Sequence, residues 1–138
     1  MELALYHKML GNKKLMELTR FILTGFTGLL IDFFFTWLCK EYFGWNRYLS
    51  NGIGFSIAVI NNYILNRVWT FKSKAGSIAK QFLTFLIVSI IGLFICTVFL
   101  FLFHQKLHVP FYISKAMVVL IVFIWNYAVN SRLTFKKR

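Results

Sequence analysis

Apolar residues run along the chain in four blocks, at about 18–39, 48–66, 82–103 and 110–130, with polar residues gathered between them. A helix crossing a hydrocarbon core of about 30 Å needs roughly 20 such residues at 1.5 Å each. The pattern therefore predicts an all-α membrane protein of four transmembrane helices, forming one domain over residues 18–138. These helices and their connections use up nearly the whole chain, so no separate soluble domain is expected. Ahead of them, residues 1–17 form a cytoplasmic lead in which Leu3, Tyr6, Met9 and Leu10 stand at helical spacing among Lys8, Lys13 and Lys14. That lead reads equally as a helix lying on the membrane surface or as a plain polar tail. Pro110 falls where the last block begins, as suits a first-turn proline. No small-x-small site follows the first block, so that helix is expected to stay attached.

Sliding the chain along itself until Asn62 falls on Asn126 reveals an internal repeat. AVINNYILNRVWTFKSK, from Ala58, then lies over VFIWNYAVNSRLTFKKR, from Val122. Ile60, Asn62, Tyr63, Asn66, Thr70, Phe71 and Lys72 match Ile124, Asn126, Tyr127, Asn130, Thr134, Phe135 and Lys136. About one match would arise by chance in such a window. Gly28 with Gly92, Leu29 with Leu93, Phe35 with Phe99 and Tyr48 with Tyr112 extend the agreement without a gap. The repeat units, about 11–74 and 75–138, are each a two-helix hairpin, so both enter the membrane in the same direction. Such parallel repeats predict a pseudo-twofold axis along the membrane normal.

Composition agrees with a bilayer setting. The chain is 59% hydrophobic and 14% charged, with a mean hydropathy of +0.67, more apolar surface than one core of 138 residues hides. In a soluble protein the net charge of +12 would suggest nucleic acid; here it sits at the ends of apolar blocks, and no nucleic-acid partner is expected. Lys8, Lys13, Lys14 and Arg20, then Arg67, Lys72, Lys74 and Lys80, then Arg132, Lys136, Lys137 and Arg138 all fall on one side. The other two loops carry only Lys40, Arg47 and Lys106. This bias places the lead, the middle loop and both termini in the cytoplasm. Cys39 and Cys96 lie in apolar stretches, and no disulfide is expected.

Asp32 lies inside the first block, about 18 Å from Arg20 along a helix. A carboxylate at that depth costs at least ~3 kcal/mol unless it is paired, protonated or facing water. Lys115 enters from the outer end of the last block at a compatible depth, and the two are expected to interact as charge partners. The bland alternative is that Lys115 snorkels outward while Asp32 bonds a hydroxyl or backbone group. In the repeat Asp32 corresponds to Cys96 and Lys115 to Asn51, so one half carries charge where the other does not. The step from Asn51 to Asn62 equals that from Lys115 to Asn126 and is close to a whole number of helical turns. Each pair therefore lies along one helix face. Asn66 and Asn130 extend those faces toward Arg67 and Arg132. The asparagines read either as two polar stripes lining a site or as packing glue between helices.

Arg20, Arg67 and Arg132 stand at cytoplasmic helix ends, where their forked guanidinium groups suit a lipid phosphate. The same residues would set topology and attract anionic lipid headgroups in any case. Trp69-Thr70-Phe71 and Leu133-Thr134-Phe135 read as interfacial anchors with their rings at headgroup depth. Classical enzyme signals are missing. His104 and His108 lack nearby carboxylates for a metal site, and there is no Gly-rich phosphate loop or nucleophile elbow. Neither catalysis nor a cofactor is expected.

The chain resembles the GtrA-like family of bacterial polysaccharide-synthesis membrane proteins. The resemblance rests on Arg20-Phe21 with Gly25, on Asp32, on Asn62 through Phe71 (NYILNRVWTF), on Lys115, and on Asn126 through Phe135 (NYAVNSRLTF). It covers about residues 18–138; Leu133 departs from the tryptophan often found there. It implies translocation of a polyprenyl-phosphate-linked sugar, such as undecaprenyl-phosphate glucose, across the bacterial cytoplasmic membrane for use by a membrane glycosyltransferase. Arg20, Arg67, Arg132 and Lys115 would then meet the phosphate. Asn51, Asn62, Asn66, Asn126 and Asn130 would meet the sugar, and Asp32 would hold or release Lys115. Four short helices enclose little volume, so a homo-oligomer is expected. A non-transporting adaptor that positions a glycosyltransferase is the main alternative. A small proton-coupled exporter using Asp32 fits less well with the strong charge bias.

Overall fold

The structure, a computed structural model, describes residues 1–74 and 76–135, apart from the side chains of Arg47, Tyr48, Asn51, Phe111, Tyr112 and Lys115. All regular structure among the described residues is helical. The chain divides into two compact units, Met1–Lys74 and Ala75–Arg138, each with a helical hairpin at its centre. In the first, α1 (Glu2–Trp37) passes through a wide turn at Leu38–Tyr42 into α2 (Arg47–Leu65), which ends in a second wide turn at Asn66–Thr70. In the second, α3 (Ile78–Phe101), a turn at Leu102–Lys106, α4 (Phe111–Val129) and a turn at Asn130–Thr134 follow in the same order. The turns and α4 begin and end at the repeat counterparts of the corresponding positions in the first unit.

The first three wide turns close with backbone bonds that reach five and six residues back instead of four, and the last shows the five-residue bond from Phe135 N to Asn130 O. Phe43 N donates to Leu38 O at 3.1 Å and Trp45 N to Cys39 O at 3.0 Å; the amides of Phe71, Ser73, Leu107 and Val109 repeat the pattern. The chain then leaves through a left-handed residue: Gly44 at φ 69°, Lys72 at φ 48° and His108 at φ 54°. A side chain in that region costs about 1 kcal/mol that glycine avoids. His108→Gly is therefore expected to raise stability by up to about 1 kcal/mol, and Gly44→Ala to lower it by a similar amount. Unfolding midpoints of the two variants in detergent check this; a shift of both in one direction would contradict it.

Entry into the second helix of each unit is also built locally. Asn46 caps α2, its Oδ1 accepting from Leu49 N at 3.4 Å. Pro110 is the cap residue of α4 and Phe111 its first helical position, one residue later than the sequence suggests. His104 Nδ1 lies 3.0 Å from Val109 O and holds the connecting loop.

Three helical stretches are long and apolar enough to cross a membrane among the described residues: Glu2–Tyr42, Ile78–Lys106 and Ala116–Thr134. The first differs from expectation, since no break separates a lead at 1–17 from the span. Leu, Met, Lys, Glu and Ala dominate the lead and all favour helix, so nothing stops propagation into the apolar block. The 36 residues of α1 extend about 54 Å, well beyond a hydrocarbon core of about 30 Å. The expected fourth span, α2, is diluted by Ser50, Ser56, Asn61 and Asn62. Its outer stripe, continued into the closing turn, is nonetheless apolar at Ile60, Ile64 and Val68, all exposed and four residues apart.

Large apolar side chains cover the outside of both units, Phe33, Phe94 and Leu120 among them. Exposed hydroxyls fold back on their own helices: Thr19 donates to Leu15 O, Thr27 to Leu23 O and Thr97 to Leu93 O, all at 2.9–3.0 Å. In lipid, where no water completes a hydroxyl's bonding, that self-satisfaction is what a lipid-facing serine or threonine needs.

Candidate functional site

The polar residues of the first unit form a ladder with a step of four. On α1 it runs Arg20, Thr24, Gly28, Asp32, Thr36; along α2 and its closing turn it runs Gly54, Ala58, Asn62, Asn66, Thr70. A four-residue step keeps successive side chains on one slowly winding face, the ridge by which helices interdigitate. Small residues let the backbones approach closely. A Cβ on Gly28 would collide with the Asn62 amide, and one on Gly54 would lie 2.6 Å from the Asp32 carbonyl oxygen. Asp32 is half-buried at this crossing, and its Oδ1 accepts from Thr36 Oγ1 at 3.2 Å.

Toward the other end Thr24 and Thr70 share a buried hydroxyl bond of 3.1 Å. Phe21 and Phe71 pack with ring centres 6.0 Å apart. Arg20 lays its guanidinium carbon 5.7 Å from the centre of the Trp69 ring and donates through Nη1 to Trp69 O at 3.2 Å. The arginine thus covers one of the carbonyls that a helix end leaves unsatisfied while stacking on an aromatic face. Arg67, half-buried, lines an open cleft of about 390 Å³ together with Val68, Lys72, Ser73 and Lys74.

The second unit keeps the amides but has Thr84, Cys96 and Ser131 where the first has Arg20, Asp32 and Arg67. Val88 is the repeat counterpart of Thr24, so Thr134 has no hydroxyl opposite it there and donates to Asn130 Oδ1 of its own helix, at 2.7 Å. Trp125 Nε1 bonds across to Val88 O at 3.2 Å. Asn126 faces Gly92, whose Cβ position lies 3.2 Å from its Oδ1. Among the described residues three buried amide atoms lack a hydrogen-bond partner: Asn66 Oδ1 in the first unit, Asn126 Oδ1 and Asn130 Nδ2 in the second. Each such orphan costs about 1–3 kcal/mol, a cost that an incoming hydroxyl would remove.

The expected site residues are thus placed unevenly. Asn62 and Asn66 line the inner face of the first hairpin, with Asp32 farther along it and Arg20 and Arg67 at one end. Asn126 and Asn130 line the inner face of the second hairpin, while Arg132 is exposed. The side chains of Asn51 and Lys115 lie outside the described residues. Thr24, Thr36, Gly54 and Thr70 are additions to the sequence-based set; their signal is the four-residue spacing. One expectation is corrected: Phe71 and Phe135 are not headgroup anchors. Both are 1% exposed and pack inside their units, Phe135 with its ring 5.9 Å from that of Phe85. The wide turn carries the residue that closes it back over the hairpin, so only Trp69 and Leu133 face outward.

Among the described residues no three of His, Cys, Asp and Glu converge as metal ligands. Lys40 and Glu41 pair at 2.6 Å but are exposed, which gives the pair little weight. What remains is, within each unit, buried amides between its two helices, and in the first unit a basic cleft at one end; amides suit hydroxyls and the basic cleft suits a phosphate. No individual curated protein matches the chain. The family described as GtrA/DPMS, transmembrane domain, matches over residues 20–135, from the arginine that covers the turn ending α2 to the phenylalanine that closes the last turn, and this membrane protein belongs to it.

Proposed function

We propose that the protein translocates a polyprenyl-phosphate-linked sugar across the bacterial cytoplasmic membrane, supplying a membrane glycosyltransferase that builds cell-surface polysaccharide. The observation that carries this reading is membership of the GtrA/DPMS transmembrane-domain family over a stretch that contains all the buried amides named above. The amides suit sugar hydroxyls, and the arginine-bearing ends suit a phosphate and anionic lipid headgroups. On this reading the chain is not an enzyme: it binds and releases, and the lipid follows its gradient or its consumption. Four helices, arranged as two parallel hairpin repeats with both termini cytoplasmic, cross the bilayer. α2 is the fourth, its polar face turned to α1 and its apolar stripe to lipid. So small a bundle would act as a homo-oligomer.

The test is leaflet transfer of a polyprenyl-phosphate hexose in vesicles that contain only the purified protein. Wild type is expected to transfer it. Arg132→Ala, at an exposed position where folding is not at stake, is expected to slow transfer by about tenfold, the size of one lost charge-assisted contact. Lipid binding without any transfer in wild type would overturn the flippase reading in favour of an adaptor that positions the glycosyltransferase.

A further inference from the structure

We infer that the cleft formed by Arg67, Val68, Lys72, Ser73 and Lys74 in the first unit is a phosphate-anion site. The inference deepens the transport reading and rests on it for the lipid source of the phosphate. The cleft is built on the turn that ends α2. Phe71 N donates to Asn66 O and Ser73 N to Arg67 O, both at 2.9 Å, which ties the start of the turn to its end. Phe71 and Ser73 are buried while Lys72 and Lys74 are exposed, so the buried residues anchor a backbone that presents the lysines. Three cations are thereby held around one depression of about 390 Å³.

Two features separate this cleft from ordinary topology-setting charge. Orientation in the membrane requires lysines and arginines near a helix end but does not require them to line one cavity. The repeat gives the second. Ser131 is the counterpart of Arg67, and Arg132 is the counterpart of Val68, on an exposed position. The guanidinium that lines the cleft in the first unit thus has no counterpart in the second. Arg20 and Arg67, with two lysines against the single carboxylate of Glu17 at this end of the hairpin, favour an anion. Phosphate, with several acceptor oxygens, matches a guanidinium fork flanked by ammonium groups.

The experiment is calorimetric titration of the full chain in phosphatidylcholine nanodiscs with farnesyl phosphate, farnesol and inorganic phosphate. Farnesyl phosphate is expected to bind at least about tenfold more tightly than farnesol, and Arg67→Gln and Lys72→Gly each to weaken it by about tenfold. Lys72→Gly removes the ammonium and relieves the turn together, so its unfolding midpoint should equal or exceed that of wild type. Loss of binding there cannot be ascribed to misfolding. Displacement by inorganic phosphate supports the cleft with a free anion as its ligand; displacement by phosphatidylglycerol added to the discs supports it with a lipid headgroup. Wild-type affinity in Lys72→Gly would overturn the inference, as would an equal loss in Lys13→Gln, which would reduce the effect to overall charge. Sugar-lipid transfer undiminished in Lys72→Gly would remove this site and leave the transport reading; phosphate binding without transfer would do the reverse.

Discussion

Gly54→Val is expected to force the first hairpin apart and to lower its stability by about 1–3 kcal/mol, the usual cost of overfilling a packed interface. The reason is the chemical nature of what the new side chain would meet. A Cβ at this position would lie 2.6 Å from Asp32 O and 2.7 Å from Asp32 Oδ1, and closer still to Thr36 Oγ1. Two of these atoms belong to side chains that can rotate; the carbonyl belongs to α1 itself and moves only with the helix. Truncating the carboxylate should therefore not rescue the variant: Gly54→Val with Asp32→Ala is expected to remain close to Gly54→Val alone. Unfolding midpoints in detergent, followed by helix content, measure both. Recovery of wild-type stability in the double variant would show that the side chain, not the backbone approach, sets the helix spacing. In the second unit the counterpart of Gly54 is Val118, fully buried. A valine is accommodated there, in the same register of the hairpin.

This comparison shows why part of the fold is legible in the chain and part is not. Four helical blocks follow from hydropathy, because a long apolar run favours a helix, although only three helical stretches among the described residues are long and apolar enough to cross a membrane. The turns recur at the same offset as the matched residues of the repeat. Asn62, Asn66, Asn126 and Asn130 can be placed on inner faces because an amide in an apolar block is costly anywhere else. The approach of Gly54 to Asp32 is not legible, since it depends on the rotation of two helices about their axes, which hydropathy does not fix. The inward turn of Phe71 and Phe135 is hidden for a different reason. An aromatic residue beside a basic run at a helix end also matches an interfacial anchor, and only the wide closing turn decides between the two. The unbroken α1 escapes a reading by hydropathy because a polar lead looks like a boundary, whereas a helix stops at a breaker rather than at a change of polarity.

Phe71→Ala and Phe135→Ala are expected to be the most damaging single truncations in their units, each costing about 3–5 kcal/mol. Each ring is 1% exposed. Each meets one aromatic partner of the opposite helix, Phe21 at 6.0 Å or Phe85 at 5.9 Å between ring centres. Each also sits on the residue whose amide closes the wide turn, bonding Asn66 O or Asn130 O at 2.9 Å. Against a total stability of about 5–15 kcal/mol such a loss is large. Leu133→Ala, at a position 68% exposed, is the control and should cost under about 0.5 kcal/mol; a Phe135→Ala midpoint no lower than that of Leu133→Ala would refute the packing argument. The two phenylalanines should nonetheless part company in function. Phe71 anchors the turn on which Lys72 and Lys74 stand, so a folded Phe71→Leu protein, with a smaller filler and a looser anchor, should bind farnesyl phosphate less tightly than wild type. Phe135→Leu, with an equal loss of volume in the unit where Ser131 takes the place of Arg67, should bind it as wild type does. Equal weakening in both would mean that the phosphate reads the stability of the whole chain, and no change in either would mean that the cleft does not depend on the ring beneath it.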